Sequence, residues 1–211
     1  MHFLITAGPT REPLDPVRYL TNRSSGRMGY ALAEAARDTG HEVTLISGPV
    51  FLPAPTGMTL VKVETAREMF EAVLKHLASA DVAIFAAAVA DYRPVVKAEQ
   101  KIKKSADTLT LELERTEDIL GSARGLFGFK GCLVGFAAET EKLVEHAQDK
   151  LARKGCDLII ANDVSQPGIG FDSAENAVTL CLPGGQTQTL PQQSKTALAS
   201  ELIQFITQLA R

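Results

Sequence analysis

Short apolar runs alternate along the chain with longer segments whose apolar residues recur at helical spacing. The apolar runs predict strands at residues 3–7, 43–46, 60–63, 82–89, 109–113, 132–136 and 158–161. The segments with helical spacing predict helices at residues 24–39, 66–77, 118–124 and 141–154. This alternation is typical of βαβ units, in which crossover helices cover a parallel sheet.

The pattern changes near the C-terminus, where two apolar runs at 177–182 and 187–190 flank Gly184-Gly185. Glycines between two such runs predict a β-hairpin, and a closing helix is predicted at 194–209. We therefore predict an α/β fold: a doubly wound, Rossmann-like, mostly parallel sheet with a C-terminal β-hairpin addition. Because ligands of such sheets bind beyond the carboxyl ends of the strands, the site is expected among particular loops. These follow residues 7, 47, 88, 136 and 161.

Composition and charge narrow the possible functions. With 211 residues and 45% hydrophobic composition the chain can build one core of ordinary size, so we predict a single domain over residues 1–211. A net charge of −3 argues against nucleic acid or an anionic membrane surface as the main partner. No stretch approaches the roughly 20 apolar residues that a membrane span requires. The N-terminus also lacks the charged region of a signal peptide.

The cysteines and histidines indicate neither a disulfide framework nor a metal centre. Cys132, Cys156 and Cys181 are odd in number, and each lies in or beside an apolar run, as buried reduced thiols do. Together with the missing signal region, this predicts a cytoplasmic protein. The four histidines show no metal-ligand spacing, so no zinc site is expected.

The long loop after the first strand leads into a possible anion site. Ser24, Ser25 and Gly26 open the first helix, whose free amide groups favour a phosphate or a carboxylate. The same residues equally suit an N-cap followed by close packing of the helix on the sheet. A connection of about fifteen residues is too long for the dinucleotide fingerprint G-x-G-x-x-G, and Ser47 stands where a ribose-binding acid is expected. No tyrosine is followed four residues later by lysine, which disfavours a nicotinamide-dependent reductase.

Two further loops hold candidate binding residues. The alanines at 86–88 end the most apolar strand and leave room for a planar ligand against the backbone. Asp91 follows, where it can meet a ribose hydroxyl or a metal ion. Alternatively, the alanines pack a helix closely and Asp91 caps a turn. The basic segment Lys101-Ile102-Lys103-Lys104 either closes over phosphates, as mobile basic loops do, or forms a solvated charged face.

Polar residues near two other element ends allow two interpretations each. Lys150 and Lys154 lie four residues apart, on one face of a predicted helix. Either both reach toward a ligand, or Lys154 in the last turn interacts with the helix dipole. Asn162 and Asp163 follow a buried strand, where they either bind substrate or form an Asx-turn.

Six segments, read together and in order, resemble one protein family. They are T-A-G-P-T-R-E-P-L-D-P-V-R-Y (6–19), N-R-S-S-G-R-M-G (22–29), A-A-V-A-D-Y-R (87–93), K-I-K-K (101–104), G-F-A-A-E-T (135–140) and A-N-D-V-S-Q (161–166). The segments are long and specific, and the resemblance covers nearly the whole chain. The sequence resembles the bacterial phosphopantothenoylcysteine synthetases, which form the C-terminal half of a bifunctional protein of coenzyme A synthesis.

The resemblance implies an amide-forming ligase that uses CTP. The carboxylate of 4′-phosphopantothenate would attack the α-phosphate of CTP, pyrophosphate would leave, and an acyl-cytidylate would form. The amine of L-cysteine would then displace CMP. Mg²⁺ is expected with the nucleotide, bound mainly through phosphates and water, and a homodimer is expected because the family's sites are completed at a dimer interface. The flavin-dependent decarboxylase that precedes this domain in the fused proteins is missing here, so no FMN is expected.

The resemblance also assigns roles to particular residues. Asn22 would hold the carbonyl of the acyl-cytidylate, and Lys101 would neutralise the triphosphate, with the loop after it acting as a flap. Residues expected at the acyl substrate are Arg18 and Ala88, and the helix N-terminus adds Ser25 and Gly26. Residues expected at the nucleotide are Ala86, Ala87, Asp91, Lys101, Asp118, Ile119, Phe136, Lys150 and Lys154. No metal ligands are assigned. Arg27 departs from the family, where lysine is expected; the charge is kept but the hydrogen-bond geometry differs.

Three other interpretations stay open. One is a ligase of the same fold that uses ATP or another acid, because a few backbone contacts decide the choice of base. Another is a nucleotide-binding regulatory module without chemistry, although such a module has less need for both Asn22 and Lys101. The third, a Rossmann reductase, is disfavoured by the missing fingerprint.

Overall fold

The computed structural model describes residues 1–104, 107–163 and 173–211. Within these residues the strands, in chain order, are β1 (His2–Ala7), β2 (Arg11–Pro13), β3 (Tyr19–Thr21), β4 (Glu42–Ser47), β5 (Thr59–Lys62), β6 (Val82–Phe85), β7 (Tyr92–Pro94), β8 (Leu113–Arg115), β9 (Cys132–Glu139), β10 (Leu158–Asp163), β11 (Glu175–Cys181) and β12 (Thr187–Ser194). The α-helices are α1 (Arg27–Asp38), α2 (Ala66–Leu77), α3 (Ile119–Gly125), α4 (Leu143–Lys154) and α5 (Lys195–Leu209). None of the helices so described is long and apolar enough to cross a membrane.

Eight of these strands form one sheet in the order β12-β11-β10-β9-β6-β1-β4-β5. The strands from β5 to β10 in that order run parallel, and β11 and β12 are antiparallel additions at one edge. After β5 the chain returns past β1 to β6, so the direction of winding reverses between β1 and β6. A doubly wound sheet opens a crevice for ligands at such a reversal. The predicted fold class is confirmed.

The helices cover both faces of this sheet. On one face α1 and α5 pack over a core that includes Phe3, Ile5 and Leu32. On the other face α2, α3 and α4 pack over a core that includes Leu4 and Met69. Because successive residues of a strand point to opposite faces, β1 contributes to both cores. This explains why the central strands are continuous apolar runs rather than alternating ones.

The C-terminal hairpin lies where its glycines predicted it. Strands β11 and β12 pair antiparallel around a short turn at Pro183–Gly185. Gly184 and Gly185 adopt φ angles of 79° and 78°, which residues with a Cβ rarely adopt. Strand β12 is the edge of the sheet and therefore accommodates Pro191, whose nitrogen has no hydrogen to donate.

Several predicted element bounds are wrong, among them the ends of β9, β10 and β12, which extend beyond the predicted runs to Glu139, Asp163 and Ser194. The strand predicted to reach residue 89 ends at Phe85; the N–H of Ala86 still bonds to Thr6 of β1, but the N–H of Ala88 bonds to Gly8, in the loop after β1. The strand predicted at 109–113 is displaced, since pairing with β7 begins only at Leu113. The helices predicted from 24 and 141 begin at Arg27 and Leu143. The β2–β3 hairpin was not predicted at all, because its strands are short and carry no alternating apolar pattern.

Candidate ligand-binding site

A cleft of about 980 Å³ lies beyond the carboxyl ends of the central strands. Thr6, Phe85, Phe136 and Asn162, from β1, β6, β9 and β10, line its floor. The N-terminus of α1, the loop after β6, and helices α3 and α4 supply residues of its walls. The cleft therefore stands at the reversal of winding, where the fold class predicted a site.

Two glycines allow the N-terminus of α1 to approach β1 closely. A Cβ on Gly29 would lie 2.5 Å from the Cβ of Ala7, so the helix packs directly on the strand. Gly26 has a left-handed φ of 77°, and a Cβ there would lie 2.6 Å from Cγ1 of Val50. Gly26 and Ser25 both line the cleft. Of the N-cap interpretation only the close packing is observed, because the N-cap residue is Gly26 and makes no side-chain cap hydrogen bond. The packing is compatible with an anion site, since it brings the anion-favouring end of the helix to the cleft.

The alanines after β6 present their backbone to the cleft because side chains of the first loop hold this segment. The buried Thr10 accepts the N–H of Ala90 at 3.0 Å through Oγ1. Asn22 donates from Nδ2 to the carbonyl of Ala88 at 3.0 Å. The side-chain amide of Asn22 is therefore oriented by the segment that it adjoins. The role of Thr10 was not predicted from the sequence, because its partner lies 80 residues away.

Asp118 joins the first turn of α3 to the last turn of α4. Its Oδ1 accepts the N–H of Gly121 at 2.9 Å, and its Oδ2 pairs with Nζ of Lys154. Burial pushes the pKa of Asp118 upward, but the hydrogen bonds from Lys154 and Gly121 outweigh this and hold it below its ordinary value. Lys154 therefore has a carboxylate partner at the cleft in addition to its favourable place at the end of a helix.

Lys150 is the more deeply placed of the two lysines. Its Nζ donates to the carbonyl of Phe136 at 2.7 Å. Burial lowers the pKa of Lys150, and the attraction of Glu139 offsets this only in part. An ammonium group has three N–H donors, so this lysine keeps capacity to meet an anion. The residues that α4 turns toward the cleft share helical spacing and are His146, Asp149, Lys150, Arg153 and Lys154.

Asn162 is a polar residue of the cleft with a buried acceptor atom. It is 8% exposed at the end of β10, and its Oδ1 has no hydrogen-bond partner among the residues that the structure describes. A buried acceptor without a partner is costly, so a ligand donor is its natural complement. From the sequence alone, Asn162 could form either a substrate contact or an Asx-turn. Residues 164–166 of the same segment lie outside the described residues.

The cleft collects most of the residues that the family resemblance named. Those that line it are Asn22, Ser25, Gly26, Ala86, Ala87, Ala88, Asp91, Asp118, Ile119, Phe136, Lys150 and Lys154. Arg18 and Lys101 are not among the lining residues. Arg18 instead bonds to Asp15 and to the carbonyl of Ile102, and Lys101 is exposed. Position alone does not test the roles, which remain predictions.

The described part of the cleft shows no built-in metal cage. Within the described ranges, no group of three or more His, Cys, Asp or Glu side chains is placed to hold a metal ion. The three cysteines are buried free thiols, as predicted. Burial raises the pKa of Cys132 and of Cys156 to about 12, so neither thiol is a nucleophile at neutral pH.

Comparison with known proteins places the chain in a family. Residues 1–209 match the family described as the DNA/pantothenate metabolism flavoprotein C-terminal domain. The chain belongs to this family. The coenzyme A biosynthesis bifunctional protein CoaBC of Vibrio cholerae is 54% identical over 205 residues, which are 96% of this chain and 51% of that protein. The chain thus spans about half the length of this relative.

Solved structures agree with this assignment. The crystal structure of the C-terminal domain of CoaBC is 44% identical, with a TM-score of 0.81, and the match covers 99% of this chain and 95% of that domain. The DNA/pantothenate metabolism flavoprotein from Streptococcus pneumoniae is 26% identical with a TM-score of 0.85, and the match covers 99% of both chains. The resemblance inferred from the six segments is confirmed at the level of the family and the fold.

Proposed function

We propose that this protein is a phosphopantothenate–cysteine ligase that activates its acid with CTP. The chain belongs to the family of the C-terminal domain of CoaBC, whose name places that protein in coenzyme A biosynthesis. The observation that carries the proposal is the cleft of about 980 Å³, which joins a side-chain amide, an alanine-lined backbone and a cationic helix face. That volume is at the upper end for small-molecule sites, about 1,000 Å³, as expected where two substrates meet.

The nucleotide would occupy the side of the cleft near α3 and α4. The triphosphate develops charge as pyrophosphate leaves, and a fixed cation nearby stabilises that charge. Lys150 and Lys154 come from one helix face and enter this side of the cleft. The alanines after β6 leave space against the backbone for a flat base. The N-terminus of α1 supplies a second favourable place for an anion.

The acyl group would lie beside Asn22. A carboxylate is a poor acyl donor, and conversion to a phosphate anhydride supplies the leaving group. Asn22 already donates one N–H to Ala88 at 3.0 Å, which holds the amide plane in one orientation. A donor held in this way can bind the acyl carbonyl and present it to the amine of cysteine. The cleft walls would also keep water from the reactive anhydride.

Mg²⁺ would enter with the triphosphate. The described residues offer no three-carboxylate cage, which fits a cation held mainly by phosphate oxygens and water. Asp91 and Asp118, which the proposal places at the nucleotide, line the cleft and could contact such a complex. The cation would neutralise triphosphate charge during the displacement.

A homodimer would bury an apolar surface that the protomer leaves exposed. Strands β7 and β8 form a two-stranded ribbon apart from the main sheet. The ribbon and the residues flanking it expose large apolar side chains, namely Tyr92, Val95, Val96, Leu109, Leu111 and Leu113. Clustered exposed apolar residues mark an interaction surface, and an isolated two-stranded ribbon is marginal without packing. Sedimentation showing only monomer at micromolar concentration would contradict a stable dimer.

The first experiment measures pyrophosphate release with CTP or ATP, with 4′-phosphopantothenate present and L-cysteine added or withheld. Release that requires both CTP and the acid, with amide product only when cysteine is present, would support the two-step ligase. Release with ATP but not with CTP, in the presence of the acid, would support the alternative ligase. Tight CTP binding without release would support a regulatory module. Visible absorption of the purified protein separately tests the expectation that FMN is absent.

Two variants test the assigned roles. Asn22→Asp should let the acyl-cytidylate accumulate and stop amide formation, because the replaced amide no longer offers its N–H donors to the carbonyl. Lys101→Gln should impair cytidylation itself. Lys97→Gln is the matched control, since it removes a nearby lysine that is also exposed and has no assigned role. Normal turnover by both Asn22→Asp and Lys101→Gln would show that the site is misassigned.

A further inference from the structure

A buried carboxylate outside the cleft organises the turn between β2 and β3. Asp15 is 3% exposed, although it lies in a surface loop. Its Oδ1 accepts the backbone N–H groups of Val17 and Arg18, each at 2.8 Å. Its Oδ2 accepts Nε of Arg18 at 3.0 Å and Nη2 of Arg18 at 2.5 Å. The four residues from Asp15 to Arg18 are thus folded around one carboxylate.

The same carboxylate reaches a segment 87 residues further along the chain. Oδ2 of Asp15 accepts the backbone N–H of Ile102 at 3.1 Å. Nη2 of Arg18 donates to the carbonyl of Ile102 at 3.0 Å. Both backbone groups of Ile102 are therefore held by one ion pair. The N–H of Ala98 adds a further tie, to the carbonyl of Leu14 at 2.9 Å.

This arrangement requires a carboxylate and not merely a polar side chain. Five donor contacts converge on its two oxygens, and an ionised carboxylate is acceptor-only on both. An asparagine has one acceptor oxygen and would turn a donor toward other donors. The hydrogen bonds from Arg18 hold the pKa of Asp15 well below its usual range despite burial, so the group is charged at all pH values of interest.

We propose that Asp15 is a positioning residue: with Arg18 it clamps the backbone of Ile102 and so sets where the adjoining Lys101 stands. This inference deepens the proposed function, because Lys101 matters only if the cleft binds a phosphate-bearing ligand. Lys101 is exposed, and in this proposal the clamp on the next residue restricts its reach. In this proposal Asp15 acts through the basic segment and not on the ligand itself.

The first test measures the clamp without any ligand or activity. Amide hydrogen exchange at Ile102 should quicken about 10-fold to 100-fold in Asp15→Asn, the effect of losing a hydrogen bond to a charged group. Exchange at Ile5 in β1 is the internal reference and should not change. An unchanged exchange rate at Ile102 would overturn the proposal.

A second pair of variants leaves Asp15 and its turn intact. Ile102→Pro deletes the N–H that Asp15 accepts, whereas Ile102→Ala keeps it and removes only side-chain volume. Cleavage by trypsin after Lys103 should be faster in Ile102→Pro than in the native protein and unchanged in Ile102→Ala. Equal cleavage of the two variants would contradict a backbone clamp, even if Asp15→Asn fails to fold.

Activity then shows whether the clamp works through Lys101. Asp15→Asn should lower CTP-dependent pyrophosphate release about 10-fold or more in the native background, with the loss in kcat rather than in the KM for 4′-phosphopantothenate. In a protein that already carries Lys101→Gln, the same substitution should lower pyrophosphate release little further. Equal losses in both backgrounds would contradict action through Lys101. If the native protein released no pyrophosphate, the proposed function would fail, while the exchange and cleavage results would still decide the clamp.

Discussion

Replacing Gly121 with alanine should displace Asp118 from the cleft without unfolding α3. A Cβ on Gly121 would lie 2.7 Å from Cγ of Asp118 and against both carboxylate oxygens. The carboxylate is the flexible end of a side chain, so it moves while the helix backbone stays. Asp118 then loses the N-cap hydrogen bond from residue 121, now 2.9 Å, and its ion pair with Lys154.

The size of the effect follows from opposing contributions. Gly→Ala in a helix stabilises by up to about 1 kcal/mol, whereas loss of an N-cap costs about 0.5–2 kcal/mol. The ion pair adds about 0–1 kcal/mol, at the low end because the Asp118 side chain is 57% exposed. Gly125→Ala, in the same helix, is the matched control, since its Cβ would meet nothing within 4 Å. The two variants should therefore differ by roughly 1–2 kcal/mol.

Thermal unfolding and calorimetric titration with CTP measure the two consequences separately. For a domain of this size each kcal/mol moves Tm by about 2–4 °C, so Gly121→Ala should melt about 2–8 °C below Gly125→Ala. CTP affinity should fall in Gly121→Ala and stay native in Gly125→Ala, because only the first moves Asp118 and frees Lys154. Equal Tm values for Gly121→Ala and Gly125→Ala would refute the capping argument. Native CTP affinity in Gly121→Ala would show that Asp118 does not belong to the nucleotide site.

Three further outcomes are expected. Asn162→Leu should weaken binding of CTP or of 4′-phosphopantothenate about 10-fold by removing the buried acceptor, whereas Asn162→Asp keeps an acceptor and should weaken it less; calorimetry with each ligand shows which one supplies the donor. Since burial lowers the pKa of Lys150, its charge is lost at lower pH than that of an ordinary lysine. CTP affinity should therefore fall with rising pH earlier in the native protein than in Lys150→Arg, and coincident profiles would contradict this. Iodoacetamide at pH 8 should leave Cys132, Cys156 and Cys181 unmodified in the folded protein, as read by mass spectrometry, because burial raises the pKa of all three thiols.

Helix α2 shows how much of the fold is contained in local pattern. Its bounds, Ala66–Leu77, were predicted from apolar residues at helical spacing, and Met69, Val73 and Leu77 are buried. Thr65 and Glu68 form a capping box at its start, a signal that also lies within four residues. Where both the buried face and the cap are local, the sequence suffices to predict the element.

The end of β6 shows where local pattern fails. The apolar run continues to residue 89, but the ladder stops at Phe85. Beyond it, the N–H of Ala88 bonds to the carbonyl of Gly8 at 2.9 Å, in the loop after β1. Nothing in an alanine-rich run distinguishes a strand from a segment that another loop holds. The site depends on this difference, because the segment that leaves the sheet is the one that lines the cleft.

The sequence by itself determined the class of fold and the family. Burial of one or two faces of an element produces a periodic pattern of apolar residues along the sequence, which indicates the fold class. The six segments are specific in order and spacing, which indicates the family. The tertiary structure decided which polar groups work together. Asn22 meets Ala88 across 66 residues, Thr10 meets Ala90 across 80, and Asp15 meets Ile102 across 87. A hydrogen bond depends on distance and angle between two atoms, and for loop residues these follow from where the sheet delivers each chain end. The pattern of apolar and polar residues around each loop position does not indicate that placement.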